Sequence, residues 1–443
     1  MKIYNSMTNK KEEFKPIHEG KVSIYICGPT VYNYIHIGNA RPVVVFDTLR
    51  RYFEYKGNEV KFISNYTDVD DKIINAAKQL GKTEKEVADK FIEAYENDRK
   101  SLNTIMPDYR PRVTEYMDEI IDFIDKLIIA DYAYEVNGDV YFRVDKLEDY
   151  GKLSNLNIDD LQVGARIEEN KDKENPLDFT LWKKTEDGIN WETKWSTGRP
   201  GWHTECVVMI STINEGEMID IHGGGMDLKF PHHENEIAQA NGCFHHNIAN
   251  YWMHNGFINV DDEKMSKSLG NVKWAKDVIA QIGSNVFRLA MMSTHYRAPL
   301  NFSEELIETT RKELAKLETA LKQANLILAI NKNTDDSLNK EIMDEFSKYM
   351  DDDLNTSNAL KVVFDTLKKI NQVVRSKDVD VTSLAQLKNS LEKMLEILGI
   401  FIELSKISDE DINTYNEWNE AKANKDFDKA DKLRDALVAK GIL

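Results

Sequence analysis

The sequence predicts an α/β fold in which a parallel sheet is interrupted by an insertion and followed by an all-α C-terminal bundle. Strand, helix and strand follow one another over residues 22–66, the order from which parallel sheets are built. Asn137-Gly138 separates two alternating apolar segments, which is the sequence signal of a hairpin. Beyond residue 303, apolar residues recur at helical spacing. These three observations divide the chain into its main parts.

The first part of the sheet is predicted from apolar runs of strand and helix length. VSIYIC (22–27) is predicted as a buried strand, RPVVVFDTLRRYFEYKG (41–57) as a helix and EVKFISNY (59–66) as the next strand. Charged helices are predicted near 71–80, 83–102 and 114–130.

The middle of the chain is predicted as an insertion, after which the sheet resumes. YAYEV and DVYFRV form its hairpin, and its charge run EENKDKEN is typical of a solvated loop. From Gly201 onward, MIDIHGGG is predicted as a strand that ends in a glycine turn. A helix within FPHHENEIAQ (230–239) and a strand near 250–254 follow.

The C-terminal part carries two apolar stripes at helical spacing, and both predict core rather than chemistry. They comprise Leu360, Val363, Phe364, Leu367, Ile370 and Val374, and Leu384, Leu387, Leu391, Leu395 and Leu398.

Composition excludes several classes of protein. A chain of 443 residues with 41% hydrophobic and 30% charged residues is ordinary globular composition. The start, MKIYNSMTNKKEEF, lacks a signal peptide's apolar stretch, and no apolar run approaches the roughly 18 residues of a membrane span. We therefore expect a cytoplasmic protein without a membrane partner. The net charge of −18 argues against a general nucleic-acid coat, so a nucleic-acid partner must meet a local basic face.

Three scattered cysteines are a poor basis for a disulfide framework. Cys27, Cys206 and Cys243 are better interpreted as reduced thiols or metal ligands.

A phosphate-binding stretch is predicted between the first strand and its helix. In CGPTVYNYIHIGNA (27–40), backbone N–H groups and the helix dipole attract anions. Gly38 lets a flat base approach the backbone, and His36 and Asn39 can donate hydrogen bonds to phosphate oxygens. Taken alone, the stretch also fits an ordinary polar start of a helix.

A second motif, KMSKS, lies within DDEKMSKSLGN (261–271), which alone also fits a solvated basic loop. HIGN followed by KMSKS resembles the HIGH and KMSKS pair of class I aminoacyl-tRNA synthetases. The full chain resembles the bacterial cysteinyl-tRNA synthetases, and the stretches that carry this resemblance are CGPTVY, NYTDVDDK, GRPGWHTEC, DIHGGGMD, FPHHENEIAQ and NYWMHNGF.

The resemblance implies a split Rossmann-like parallel sheet with a connective insertion. The implied parts are the first half of the catalytic domain at 1–112, the insertion at 113–200, the second half at 201–270, a stem-contact segment at 271–312 with the KMSKS loop at its start, an anticodon-binding bundle at 313–404 and a helical tail at 405–443.

The resemblance also implies roles for site residues. Lys267 would contact ATP and Lys264 would help to hold pyrophosphate. Asn39 departs from the class signature, which has histidine there, and asparagine cannot carry charge. Phosphate stabilisation would therefore depend more on His36 and the lysines.

Four further residues are implied to line the substrate site. Trp202 would form an aromatic wall of the cysteine pocket, and Asp227 would accept hydrogen bonds from the ATP ribose. Thr67 and His222 are also expected to line the pocket.

A metal site is predicted around FPHHENEIAQ. With Pro231 in the first helical turn, His232 and Glu236 share one helical face, an arrangement that fits a metal but also an exposed polar pair. Cys27 and Cys206 favour the metal, because parallel-sheet enzymes gather ligands at the carboxyl ends of strands.

Two thiolates, an imidazole and a carboxylate suit zinc. The resemblance implies that Cys27, Cys206, His232 and Glu236 are its ligands, and that Cys243 packs in the interior.

The implied function is ATP-dependent activation of cysteine to its adenylate and transfer to the 3′-terminal adenosine of tRNA(Cys), with zinc selecting the thiolate and magnesium accompanying ATP. Alternatives are a ligase that joins cysteine to an amino sugar and a non-catalytic RNA-binding module. A monomer is expected. Candidate tRNA contacts, which a solvated helix face explains equally well, are Arg311, Lys312, Lys368, Lys369 and Arg375.

Overall fold

The computed structural model describes residues 1–156, 172–265 and 270–443. They form two compact units. The first comprises Met1–Gln281 and Arg297–Leu300, and the second comprises Ile282–Tyr296 and Asn301–Leu443.

The first unit opens with the strand, helix and strand that the sequence predicts. Its elements up to residue 101 are β1 (Lys2–Asn5), β2 (Lys10–Glu13), β3 (Lys21–Ile26), α1 (Ile37–Tyr55), β4 (Glu59–Ser64), α2 (Asp71–Leu80) and α3 (Glu84–Ser101). Strands β3 and β4 pair in parallel, and α1 connects them. Helix α1 begins four residues before the predicted start at Arg41, because His36 caps it.

The insertion is an antiparallel sheet in the order β5-β6-β7-β9-β8. Its elements are α4 (Met117–Ile129), β5 (Ala133–Val136), β6 (Asp139–Phe142), β7 (Phe179–Lys184), β8 (Trp191–Glu192) and β9 (Thr197–Pro200). Asn137 and Gly138 both have positive φ, 56° and 95°, as a two-residue hairpin turn requires. The predicted hairpin is confirmed. The charge run EENKDKEN (168–175) lies partly outside the described residues.

The parallel sheet resumes after the insertion, as predicted. The elements that follow the insertion are α5 (Glu205–Ile213), β10 (Ile219–Gly225), α6 (Glu234–Phe244), β11 (Ala249–Asn255), β12 (Ile258–Val260), β13 (Glu263–Lys264) and α7 (Ala275–Ile282). Strands β12 and β13 pair antiparallel in a separate small sheet. Strand β10 pairs in parallel with both β3 and β11. The sheet order is therefore β11-β10-β3-β4, and all four carboxyl ends meet at one edge.

The insertion shares a hydrophobic core with the resumed half of the sheet. Its members include Phe142, Leu181, Trp182, Val207 and Trp252, all buried. This packing fixes the insertion beside the helices that follow β9.

The second unit is helical. Its elements are α8 (Ser284–Met292), α9 (Glu304–Ile330), α10 (Lys340–Met350), α11 (Thr356–Val374), α12 (Val381–Ile397), α13 (Asp409–Ala423) and α14 (Phe427–Ala439), while β14 (Leu300–Phe302) lies at the boundary of the two units. Both predicted apolar stripes face its interior: Leu360, Val363 and Ile370 are buried on α11, and Leu384 and Leu391 on α12. Among the described helices, none combines the length and the apolar character that a membrane span needs.

Candidate active site and metal centre

A cavity of about 270 Å³ lies at the carboxyl edge of the parallel sheet. Chain segments that follow β3 and β10 line it, together with Trp202 and Trp274. Six of the residues singled out from the sequence line this one cavity: Cys27, His36, Gly38, Asn39, Trp202 and Asp227.

The four predicted zinc ligands lie together at the base of this region. Cys27 follows β3, Cys206 lies in the first turn of α5, His232 precedes α6 and Glu236 lies in its first turn. Their ligand atoms are all within 4.8 Å of one another. Three of the four side chains are buried, and Cys27 is partly buried.

The separations between these atoms fit the edges of a metal coordination polyhedron. The two Sγ atoms are 3.8 Å apart, Cys206 Sγ lies 3.7 Å from His232 Nε2, and Cys27 Sγ lies 3.8 Å from Glu236 Oε1. Two sulfurs bound tetrahedrally at about 2.3 Å from zinc are themselves about 3.8 Å apart. The donor set therefore fits zinc in both chemistry and spacing.

The protonation of this cluster is set by burial and by the contacts among its members. A hydrogen bond from the Cys27 thiol lowers the pKa of Cys206 to about 6. Burial alone would raise the pKa of Glu236, but His222 and His232 hold it well below the usual value. Burial opposes protonation of His232, yet Glu236 and Cys206 raise its pKa to about 10. These shifts favour an ionised Cys206, an ionised Glu236 and a protonated His232, whereas burial raises the pKa of the Cys27 thiol well above its usual value.

A second set of ligand atoms, which the sequence did not indicate, overlaps the first. Cys27 and Glu236 also lie within 4.8 Å of His222 and His233. His222 Nε2 is 2.7 Å from Glu236 Oε2, and His233 Nε2 is 3.3 Å from Cys27 Sγ. His222 and His233 thus contact two of the predicted ligands, Glu236 and Cys27, as residues of the outer shell usually do around a protein metal site.

The histidine cluster extends further than the predicted ligands. His233 Nδ1 lies 2.8 Å from His254 Nε2, and His254 Nδ1 lies 2.9 Å from the Ser6 hydroxyl. Burial lowers the pKa of His254 to about 3, so this chain of imidazoles is neutral. His254 stands at the carboxyl end of β11, opposite Gly224 of β10. The sequence signals that could have indicated it are its position at a strand end and its place in the stretch NYWMHNGF.

Trp202 joins the metal-capable cluster to the cavity. Its ring stacks on His232 with centroids 4.2 Å apart and an interplanar angle of 16°. The side chain is nonetheless 40% exposed, so it is a wall of the cavity and not a core residue.

The HIGN sequence forms the cap of α1. His36 Nδ1 accepts a hydrogen bond from the backbone N–H of Asn39 (3.2 Å), and the Asn39 side-chain oxygen accepts one from the backbone N–H of His36 (3.4 Å). Asn39, which departs from the class signature, therefore also caps the start of helix α1. Because Nδ1 accepts a hydrogen bond, the Nε2 atom of a neutral His36 carries the proton and can donate a hydrogen bond to an anion.

Gly38 is required by its contact with His36. A Cβ atom on Gly38 would lie 2.9 Å from His36 Nδ1 and 3.2 Å from the end of Met265. Any side chain here would displace the imidazole and occupy the floor of the cavity.

Two predicted pocket residues, Thr67 and His222, are not among the residues that line this cavity. Thr67 is buried and donates its hydroxyl hydrogen to Glu205 Oε2 at 2.9 Å. His222 is buried against Glu236 and stacks on Trp252. Both satisfy buried polar groups, a use that the sequence cannot distinguish from substrate contact.

Most of the KMSKS motif lies outside the described residues. Lys267 lies outside the described residues, and so does the side chain of Lys264, whose backbone belongs to β13. Cys243 packs against the hydrophobic core, and burial raises the pKa of its thiol to about 11.

The candidate tRNA contacts lie in the helical unit. Arg311 lies 3.7 Å from Glu308, and Lys368 pairs with Asp365 at 2.8 Å. Such exposed pairs on one helix fit a solvated face as well as a binding surface.

Comparison with known families gives the class to which this fold and site belong. The model described as "tRNA synthetases class I (C) catalytic domain" matches residues 13–312, and the model described as "DALR domain" matches residues 345–402. Residues 13–312 thus belong to the catalytic-domain family of class I tRNA synthetases.

Individual relatives identify the family within this class of tRNA synthetases. A cysteine–tRNA ligase of Halalkalibacterium halodurans is 49% identical over an alignment of 453 positions, which covers 100% of this chain and 97% of that protein. Another, of Geobacillus thermodenitrificans, is 47% identical over an alignment of 451 positions, which covers 100% of this chain and 96% of the relative. The chain belongs to the cysteine–tRNA ligase family. The resemblance drawn from the sequence is confirmed.

Solved structures share the fold at low sequence identity. Methionyl-tRNA synthetase of Mycobacterium tuberculosis in complex with methionyl-adenylate has a TM-score of 0.60 at 15% identity, covering 85% of this chain and 89% of its own. Arginyl-tRNA synthetase of Thermus thermophilus has a TM-score of 0.58 at 11% identity, covering 90% and 84%. The predicted fold class, a split parallel sheet followed by an all-α part, is confirmed.

Proposed function

We propose that this protein activates cysteine with ATP and transfers it to the 3′-terminal adenosine of tRNA(Cys). The observation that carries this proposal is a single cavity lined by Cys27 of the metal-capable cluster, by Trp202 and by the HIGN residues His36, Gly38 and Asn39. Family membership supports the same reaction.

The reaction proceeds in two steps in this cavity. The carboxylate of cysteine attacks the α-phosphorus of ATP, and pyrophosphate leaves. A ribose hydroxyl of the tRNA then attacks the carbonyl of the adenylate, and AMP leaves. Neither step needs a protein nucleophile, so alignment and stabilisation of charge account for catalysis.

The nucleotide half of the cavity would be formed by the HIGN residues. His36 Nε2–H and the Asn39 side chain donate to phosphate oxygens, the base lies against Gly38, and Asp227 accepts from the ribose. Lys264 and Lys267 would add positive charge beside the leaving pyrophosphate, with magnesium bound to the phosphates of ATP.

The amino-acid half would be formed by zinc ligands and an aromatic wall. Cys27, Cys206, His232 and Glu236 would hold the ion, while His222 and His233 would keep two of these ligands in place. Zinc held there would supply selectivity for cysteine, because a thiolate is a good zinc ligand and the hydroxyl of serine is a poor one. Protein synthesis requires discrimination of about 10⁴, which packing against near-isosteres seldom supplies.

The helical unit would bind the tRNA body. We assign anticodon binding to residues 313–404 and stem contacts to 271–312, within a cytoplasmic monomer. The DALR match at residues 345–402 supports the tRNA partner.

Exchange of labelled pyrophosphate into ATP tests the proposal. The assay is run with cysteine, serine and methionine, before and after removal of zinc and again after its restoration. Exchange is expected with cysteine only, with loss on chelation and recovery with zinc. Equal exchange rates with serine, or full activity of the metal-free protein, would refute the proposal. If the protein supports exchange but transfers cysteine to an amino sugar and not to tRNA, the alternative of a cysteine–amino sugar ligase would be favoured.

A further inference from the structure

A second cavity opens beside the active-site cavity. Its volume is about 500 Å³, and we name it the aromatic–lysine groove after Tyr32, Tyr34, Phe91, Lys72 and Lys90 in its lining. Helices α2 and α3 form its other walls. Tyr32, Tyr34 and Lys72 line the active-site cavity as well, so the two cavities share a wall.

The groove places ammonium groups over aromatic rings. Lys90 Nζ lies 4.9 Å from the ring centre of Phe91 and 6.0 Å from that of Tyr34, and Lys72 Nζ lies 5.7 Å from that of Tyr32. Lys276, which does not line the groove, has its Nζ 4.6 Å from the Tyr34 ring and pairs with Asp277 at 2.8 Å. The phenol and phenyl rings of Tyr34 and Phe91 meet edge to face at 5.3 Å.

The positive charges of Lys72 and Lys90 are not neutralised by ion pairs with other described residues. Within the described ranges, no carboxylate forms an ion pair with Lys72 or Lys90. The neighbouring carboxylates have other partners: Asp71 pairs with Lys183 and Arg199, and Asp89 pairs with Lys85 and Arg112. In a chain of net charge −18, this is a local basic surface.

Exposed cations interleaved with aromatic rings are the chemistry that binds single-stranded nucleic acid, with phosphates on the lysines and bases on the rings. We propose that the aromatic–lysine groove binds the unpaired 3′-terminal nucleotides of the tRNA. This rests on the proposed function, and the shared wall leads the terminal ribose toward the cavity in which the adenylate forms.

The test uses Lys90, which lines the groove but not the active-site cavity. The variants are Lys90→Gln and Lys90→Glu. The control is Lys56→Glu, since Lys56 Nζ also lies over a ring, that of Tyr52 at 5.9 Å, at the far end of α1. Each variant is compared with the unaltered protein in cysteine-dependent pyrophosphate exchange without tRNA, in tRNA charging and in tRNA binding.

Exchange is expected to be unchanged in every variant. Lys90→Glu should raise KM for tRNA about fivefold to tenfold, and Lys90→Gln about twofold to threefold, because a phosphate contact is lost. The salt dependence of tRNA binding to Lys90→Gln should become shallower by about 0.7 in log–log slope, the value for one single-strand contact. The control should behave as the unaltered protein does.

A tRNA that lacks its unpaired 3′ nucleotides identifies the occupant. It should bind equally to the unaltered protein and to Lys90→Glu, because the contact is already missing. Equal weakening of the full and shortened tRNAs would place another part of the tRNA in the groove, and a raised KM for ATP would place a nucleotide there, so either result overturns the inference. If the unaltered protein shows no cysteine-dependent exchange, the proposed function itself fails.

Discussion

At the residue scale, Trp202 is held by an imidazole that is itself a predicted metal ligand. The stack on His232 fixes the indole while 40% of the side chain remains exposed toward the cavity. An exposed aromatic ring in a fixed orientation is suited to contact a small substrate.

Replacing Trp202 by alanine should raise KM for cysteine about tenfold or more, since a wall of the pocket is lost, while Trp202→Phe should have a smaller effect. Zinc content should stay unchanged, because no ligand atom is removed. The control is Tyr109→Ala, which truncates a ring that is 47% exposed away from the cavity. Unchanged KM in Trp202→Ala, measured by pyrophosphate exchange, would contradict the role given to this ring.

The individual site residues were predictable to different degrees. Cys27, Cys206, His232 and Glu236 could be named from residue chemistry and resemblance, and the structure places them together. His233 could not be assigned partners from sequence, because its contacts, Cys27 after β3 and His254 on β11, come from distant parts of the chain. The spacing of residues along one helix does not indicate which side chains at the ends of the sheet strands will contact that helix.

At the element scale, helix α3 carries a buried carboxyl group that costs stability. Burial, opposed in part by Lys276, raises the pKa of Asp98 to about 6. Its Oδ2 atom accepts a hydrogen bond from none of the described residues. The carboxylate form is therefore disfavoured in the folded protein.

The substitution Asp98→Asn should stabilise the protein at neutral pH. Below about pH 4 the carboxyl group is protonated in both folded and unfolded chains, so its raised pKa has no effect there. Between about pH 4 and about pH 6 the unfolded chain has released the proton while the folded protein still holds it, so the folded state loses up to about 3 kcal/mol, and the loss is complete above about pH 6. Removing the charge should recover about 1 to 3 kcal/mol at about pH 8 and nothing at about pH 4.

Denaturant unfolding at several pH values measures this difference. Asp89→Asn on the same helix is the control, because hydrogen bonds from Lys85 and Arg112 lower the pKa of Asp89. That variant should show no gain at high pH. A gain for Asp98→Asn that does not depend on pH would exclude titration of this group as the cause.

The elements themselves were largely predictable, and the differences have local causes. Strands β3, β4 and β10 and the hairpin of Asn137-Gly138 lie where apolar runs and turn residues predict them. The sequence predicts a later start for α1 than the structure has, because the HIGN residues resemble a loop unless the reciprocal hydrogen bonds of His36 and Asn39 are known. Register also escaped prediction, since the opposition of Gly224 and His254 depends on pairing between separate segments.

At the scale of the whole molecule, an acidic chain must bind an anionic partner through local surfaces. The net charge of −18 repels a polynucleotide at long range, so binding depends on restricted basic areas such as the aromatic–lysine groove. The catalytic sheet and the helical unit share the proposed work: the first holds ATP and cysteine, and the second binds the tRNA body.

The central claim is that a zinc ion held by Cys27, Cys206, His232 and Glu236 binds the sulfur of the substrate. X-ray absorption at the zinc edge, which counts sulfur neighbours, tests it most directly. We predict two sulfurs at about 2.3 Å in the protein alone, three after cysteine is added and two after serine is added. Cys206→Ser should remove one sulfur and Cys243→Ser none, whereas purified protein without zinc, or a sulfur count unchanged by cysteine, would contradict the account.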